Sequence, residues 1–236
     1  MSTPLQYEGR DLEAMSLAPN YHAWIVRTFA PYLGKQVAEV GAGSGTFSEA
    51  LLQLPIDELL AVEPSQEMYP LLAERFRTDA RVVCTQSFFH DISAQYREHF
   101  DSVIYVNVLE HIKNDAQELR HAHEALKEGG MLCLFVPALQ WLYGEHDRSV
   151  GHQQRYYKKQ LKSLLEESGF EVVRIRYFDI AGVLPWFFLM RVLKRRLTGN
   201  NAVLYDRFVV PIMSRIESLI PPPLGKNLMA VARKKS

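Results

Sequence analysis

The chain has 236 residues, 47% of them hydrophobic, with 27 Lys and Arg against 27 Asp and Glu. That length and apolar content exclude a disordered chain and suit one α/β domain with a sizeable core. The zero net charge lacks the cationic surplus that draws a protein to nucleic acid, so no nucleic-acid partner is expected.

Leu12 to Leu33 is predicted helical, because Tyr21, Trp24, Ile25 and Phe29 recur at helical spacing before Pro31 and Gly34. No charged start leads into an apolar run, which argues against a secretory signal. Lys35 to Val40 then reads as a strand, Gly45 to Leu54 as a helix, Leu59 to Val62 as a strand, Gln66 to Arg77 as a helix and Val82 to Thr85 as a strand. Phe100 to Val106 is a further strand, Asp115 to Lys127 a helix, and Met131 to Val136 a strand introduced by Gly129 and Gly130. Nearly all-apolar strands alternating with helices indicate a parallel sheet covered on both faces. Cys84 and Cys133 both fall inside such strands. They read as reduced core thiols and point to the cytoplasm.

Beyond Pro137 a polar, aromatic loop runs to about Tyr157, followed by a helix from Lys158 to Ser168 and an alternating strand from Glu171 to Tyr177. An insertion, first apolar and then basic, occupies Phe178 to Leu219. Pro221 to Pro223 form a stiff turn, and Asn227 to Ala232 reads as the last strand. With no repeat, linker or second core, the chain reads as one domain.

The most informative stretch is Val37-Ala-Glu-Val-Gly41-Ala-Gly43-Ser-Gly45-Thr-Phe. A strand enters a glycine turn and a helix follows, so backbone can approach a ligand closely and the helix start offers free amides. The spacing is not that of the dinucleotide turn, because Thr46 stands where its last small residue would be. Glu39, just before the glycines, would repel phosphate but suits an ammonium group. Glu63, with Pro64 beside it, ends the second strand 22 positions after Gly41. A carboxylate there hydrogen-bonds ribose hydroxyls in mononucleotide-type folds. Together these features point to an adenosine-type cofactor.

Here the sequence resembles the class I S-adenosylmethionine (SAM)-dependent methyltransferases. Glu39-Val-Gly-Ala-Gly-Ser-Gly is similar to their first motif, Asn107-Val-Leu-Glu110-His111-Ile to the segment after their fourth strand, and Leu126-Lys-Glu-Gly-Gly130 to their entry into the fifth. Tyr143-Gly-Glu-His-Asp147, Gly151-His-Gln-Gln-Arg155-Tyr156 and Gly225-Lys-Asn-Leu-Met-Ala-Val-Ala-Arg233 resemble a bacterial small-molecule branch (methyltransferase type 11, 12 or 23). That branch most often has Arg or Tyr where Gln153 and Gln154 stand. The resemblance implies a Rossmann-like α/β fold with a seven-stranded, mostly parallel sheet, an antiparallel last strand and a helical lid.

It also implies roles. Gly41, Ala42 and Gly43 would pack against the methionine part of SAM and Glu39 would hold its ammonium. Glu63 would bind the ribose, and Met68, Ser87 and Phe88 would lie at the adenine. Asn107 and Val108 would offer carbonyls near the methionine end, and Tyr21 would close over its carboxylate. The product would be S-adenosylhomocysteine. Within one domain, 1–34 is then an N-terminal helical cap, 35–136 the SAM-binding core, 137–225 the acceptor loop and lid, and 226–236 the last strand and tail.

An acceptor of high pKa needs a base, and His serves near neutral pH. His111 lies just past strand four, at the sheet edge where open α/β folds bind ligands. The loop from Trp141 to Tyr157 supplies His146 and His152 as further candidate bases, with Tyr143, Arg155 and Tyr156 as acceptor-binding residues. The Arg155 fork suits an anionic group. Asn107-x-x-Glu110-His111 is also similar to the Glu-x-x-Glu-His of metal-dependent small-RNA methyltransferases, with His146, Asp147 and His152 as further ligand candidates. Asn stands in place of the first Glu, and no metal is expected. In the insertion, Ile180 to Met190 is followed by Arg191, Lys194, Arg195 and Arg196. It reads as a lid presenting Trp186 to a hydrophobic acceptor, with a peripheral membrane contact through 180–196 or a packing role as the alternatives.

The expected activity is therefore methyl transfer from SAM to an O or N atom of a small, hydrophobic or aromatic acceptor. The competing readings are a SAM-binding protein without turnover, opposed by the His-, Tyr- and Arg-rich loop, and a nicotinamide-dependent oxidoreductase, opposed by the glycine spacing. Composition and motifs leave the oligomeric state and the acceptor's identity open.

Overall fold

The computed structural model describes residues 18–192 and 199–235, and no side chain within 190–200. The start of the helix expected from Leu12, and the side chains of Arg191, Lys194, Arg195 and Arg196, therefore lie outside the described residues.

The chain alternates as expected: α1 (Pro19–Phe29), β1 (Gln36–Val40), α2 (Thr46–Leu51), β2 (Glu58–Val62), α3 (Tyr69–Arg75), β3 (Val82–Thr85), α4 (Phe89–Ile92), β4 (Phe100–Val106), α5 (Asp115–Ala125) and β5 (Leu126–Pro137). After β5 come α6 (Glu145–Ser149), α7 (Lys158–Glu167), β6 (Phe170–Phe178), α8 (Val183–Trp186), α9 (Gly199–Leu204), α10 (Val210–Leu219) and β7 (Asn227–Lys234). The seven strands form one sheet in the order β3-β2-β1-β4-β5-β7-β6. Strands β1 to β5 pair in parallel, and β7 inserts antiparallel between β5 and β6.

The central strands are apolar on both faces because helices cover both. Val103 and Tyr105 of β4 pack with Leu119 and Ala122 of α5, while Ile104 between them joins the opposite core with α1 and α2. This is the period-two alternation of a strand buried on both sides. Both cysteines are free thiols, Cys133 buried in β5. No helix among the described residues is long and apolar enough to cross a membrane.

One expectation changes. The stretch after β5 is not an open polar loop. It forms a tight turn at Gln140–Leu142 and the short helix α6, and a bridge pairs Ala138 with Tyr156. The insertion is a run of short helices with π-helical stretches at Phe187–Val192 and Tyr205–Val209. It docks on α1 through Asp206, whose carboxylate accepts the backbone amides of Asn20 (3.2 Å) and Tyr21 (2.8 Å). The insertion thus supplies the cap at the helix start, where amides otherwise lack partners.

Candidate active site

The site begins where β1 ends. Gly41 has φ +74°, and a Cβ there would lie 2.4 Å from Val108 Cγ2. Only glycine lets the chain turn here against the end of β4. The turn is tied to β2, because Gly41 and Ala42 both donate to the Val62 carbonyl, at 2.8 and 3.0 Å. Glu63 closes it from the other side. Its two oxygens accept the amides of Gly43 (2.7 Å) and Ser65 (2.8 Å).

Glu39 lies beneath the turn, buried, with the Ser48 hydroxyl donating to it at 2.5 Å. Burial pushes its carboxyl up to about 8, and the nearby Glu63 adds to the rise, while the Ser48 bond opposes it. Burial also raises Glu63, against the two amides that hold it down. Two buried carboxylates beside a glycine cradle form a pocket that a cationic ligand would relieve. SAM carries both an ammonium and a sulfonium, and it fits this arrangement.

Next to the turn, a cavity of about 290 Å³ opens at the carboxyl edge of the sheet. Glu39, Asn107, Glu110, His152, Trp186 and Tyr205 mark its sides. Asn107 takes φ +54°, unusual for a residue with a Cβ, and its amide donates to the Phe135 carbonyl at 2.8 Å. This turn swings the next residues toward the cavity.

The polar cluster there is largely buried. Glu110 is fully buried, and neither carboxylate oxygen receives a hydrogen bond from another described residue. Burial pushes its carboxyl up to about 7, although His152 and Arg155 favour the ionised form. His152 Nε2 lies 3.8 Å from Glu110 Oε1, and its Nδ1 meets Asp147 Oδ1 at 2.9 Å. Asp147 also accepts from Arg155 Nε (2.7 Å) and the Gly144 amide (2.9 Å). Those partners overcome its burial and hold it below the usual carboxylate range. The His111 ring sits edge-on to His152, 4.7 Å between centroids, and burial followed by the His152 charge pushes it down to about 3. His146 packs edge-on to Trp186 at 5.1 Å.

The expected residues divide. Tyr21, Glu39, Gly41, Ala42, Asn107, His111, His146, His152, Arg155 and Trp186 line the cavity. Gly43, Glu63, Pro64, Met68, Ser87, Phe88 and Val108 do not, and belong to the glycine turn and the ends of β2, β3 and β4 beside it. Tyr143 and Tyr156 are not among the lining residues either. The Tyr143 hydroxyl donates to the His152 carbonyl (2.8 Å). Tyr156 is fully buried, bonded to Asp115 Oδ2 (2.9 Å), and its pKa is raised by burial. Neither lines the cavity; both brace the segment that carries His152. Arg155 does line it, but its Nε is spent on Asp147.

Tyr21 is anchored through its hydroxyl. Its hydroxyl donates to Asp179 Oδ2 (3.1 Å) and accepts from Asn227 Nδ2 (2.7 Å). Tyr205 also donates to Asp179, and Lys226 Nζ lies 3.3 Å from it. Asp179, Lys226 and Asp206 had no assigned role. No periodicity reveals them, since their partners are up to 186 positions away. Glu110 and Asp147 had a role in the sequence reading only through the metal-type motif, and their complete burial beside the cavity is what the structure adds.

Residues 17–175 match a family described as "Methyltransferase domain". A tRNA U34 carboxymethyltransferase of Psychrobacter arcticus is 26% identical over 196 residues, covering 72% of this chain and 54% of that protein. This chain spans about half the length of such carboxymethyltransferases. A ubiquinone biosynthesis O-methyltransferase of Xanthomonas campestris is 26% identical over 168 residues, covering 65% of this chain and 68% of that protein. A SAM-dependent methyltransferase from Archaeoglobus fulgidus shares the fold with TM-score 0.59 at 17% identity, over 89% of this chain and 91% of that one. With the glycine turn, the paired carboxylates and the 3-2-1-4-5-7-6 sheet, these matches make the chain a member of the class I SAM-dependent methyltransferases.

Proposed function

We propose that the protein moves a methyl group from SAM to an O or N atom of a small, hydrophobic or aromatic acceptor held in the 290 Å³ cavity. The observation that carries this reading is a cavity with largely apolar walls, including Pro137, Val150, Pro185, Trp186 and Leu189, with one polar cluster at the sheet edge. SAM supplies an activated methyl on sulfur, and the protein orients the acceptor and excludes water. Gly41, Ala42 and Gly43 admit the methionine part, with Asn107 and Val108 beside it. Glu39 meets the ammonium. Glu63 meets the ribose with the lone pairs its two amide bonds leave over, and Met68, Ser87 and Phe88 flank the adenine. The acceptor's reacting group sits against Glu110 and His152, whose imidazole Asp147 orients; His111 and His146 shape the cavity around them.

The named relatives divide between ubiquinone biosynthesis and tRNA U34 modification. The apolar walls and the balanced charge of this chain favour a small acceptor of the first kind. Leu184, Phe188, Phe208 and Ile212 are exposed on the outer face of the insertion, and the sequence there continues into Arg191, Lys194, Arg195 and Arg196. We assign this face to a lipid surface that delivers the acceptor. The test is incubation with labelled SAM and a panel of phenols, quinols and amines set against tRNA. Label on a small phenol or amine supports the reading, and label on tRNA alone contradicts it.

A further inference from the structure

We propose that Glu110, His111 and His152 form a binding site for one divalent first-row transition-metal ion, which holds the acceptor's reacting oxygen in the cavity. The ion site stands on the geometry alone; its role toward the acceptor rests on the function proposed above.

Each of the three residues offers a ligand atom, and these atoms lie within 4.8 Å of one another. They come from separate segments. Glu110 and His111 follow β4, on the turn set by the left-handed Asn107. His152 arrives after β5, where the Gln153 amide donates to the Glu110 carbonyl at 2.7 Å. That bond locks the two segments in register, so the cluster is built into the fold.

Glu110 is the second, independent observation. Its carboxylate is fully buried, borders the cavity, and takes no hydrogen bond from another described residue. Stripping a carboxylate of water without giving it donors is costly. Arg155 favours the ionised carboxylate but gives it no hydrogen bond, its Nε being bonded to Asp147 and its Nη1 to the Ala138 carbonyl. A cation between Glu110 and the imidazoles does.

The outer contacts fit as well. Asp147 takes His152 Nδ1 at 2.9 Å and leaves Nε2, 3.8 Å from Glu110 Oε1, as the ligand atom. A carboxylate that orients a histidine in this way is the usual second layer of a metal site. Two imidazoles and one carboxylate select a transition ion such as zinc, manganese or cobalt over calcium or magnesium. Three protein ligands leave positions open for an acceptor oxygen. Coordination acidifies an acceptor hydroxyl, whose proton goes to solvent, and the oxygen lone pair then attacks the methyl carbon as its bond to sulfur breaks. With the ion in place, His152 Nε2 is a ligand, and the acceptor is activated by coordination. Asn107, whose identity argued against a metal, is not part of this trio.

The test uses the full chain, stripped with a chelator and checked for folding by circular dichroism. Zinc content after dialysis and the visible spectrum with cobalt are measured without SAM or acceptor, on wild type, Glu110→Gln and His152→Asn. The expected result is one ion per chain in wild type, and affinity at least ~10-fold weaker in each variant. SAM titrations on the same proteins are expected to differ little. Folded wild type that takes up no stoichiometric ion, or variants that bind it equally well, overturn the site and point to a metal-free carboxyl–imidazole pair. If Glu110→Gln fails to fold, His152→Asn carries the decision. Ion binding without SAM binding would leave the site standing and remove the methyltransferase reading.

Discussion

Asp147 and His152 are joined twice: the His152 ring meets the Asp147 carboxylate at 2.9 Å, and the His152 amide donates to the Asp147 carbonyl at 2.9 Å. One aspartate therefore fixes both the ring and the backbone of a histidine that lines the cavity. His152→Gln is expected to lower kcat by roughly 10²–10⁴-fold while SAM affinity stays within about threefold. Asp147→Ala adds a stability loss of about 3–5 kcal/mol, since it leaves Arg155 buried without its partner. Single-turnover kinetics and urea melts separate the two effects. Equal activity in His152→Gln would remove the residue from the mechanism.

Glu39 gives a pH dependence with a defined sign. Unfolded, it ionises near pH ~4.3; folded, burial keeps its proton up to about 8. Between those values the folded state binds the extra proton, so stability falls as pH rises, by up to ~1.4 kcal/mol per unit, and levels off above the folded pKa. Glu39→Gln is expected to remove this slope in urea melts across the window. A cation docking on Glu39 should expel the proton, so calorimetry near neutral pH in buffers of different ionisation enthalpy should show proton release on SAM binding. A slope unchanged in Glu39→Gln would contradict the assignment.

Gly41→Ala tests the cradle. The added Cβ would sit 2.4 Å from Val108 Cγ2 at φ +74°, a strain of roughly 1–3 kcal/mol. Lower thermal stability and weaker SAM binding should appear together. Full stability in Gly41→Ala would mean that the turn has room to spare.

The sheet and the glycine turn were legible in sequence because their causes are local. Apolar runs such as Val103-Ile-Tyr105 form strands buried on both faces, and Gly41 and Gly43 stand where the backbone must turn. Helix ends were less so: the helix expected from Gln66 begins at Tyr69, because Ser65 accepts the Glu67 and Met68 amides with its side chain and forms a turn first. The loop side of the cavity was legible only by composition and motif resemblance. Arg155 and Tyr156 read as acceptor-binding loop residues, and their burial had no local signal, since their partners Asp147, Ala138 and Asp115 are set by tertiary contacts. The network joining Tyr21, Asp179 and Asn227 spans 206 positions and leaves no local signal.

The outer face of the insertion gives a binding prediction. Sedimentation with anionic vesicles should retain the protein, and added salt should release part of it, because exposed charges are screened. Replacing both Leu184 and Phe188 by Ser should abolish retention. Equal recovery with and without vesicles would assign this face to another role.

The central claim is tested most directly by calorimetric titration of ligand-free protein with SAM and S-adenosylhomocysteine, repeated on Glu63→Ala. Saturable binding of both is expected. Loss of the charged hydrogen bonds to ribose, about 1.5–3 kcal/mol, should weaken it roughly 10- to 150-fold in the variant. No binding by folded wild type, or undiminished binding in Glu63→Ala, would contradict the account.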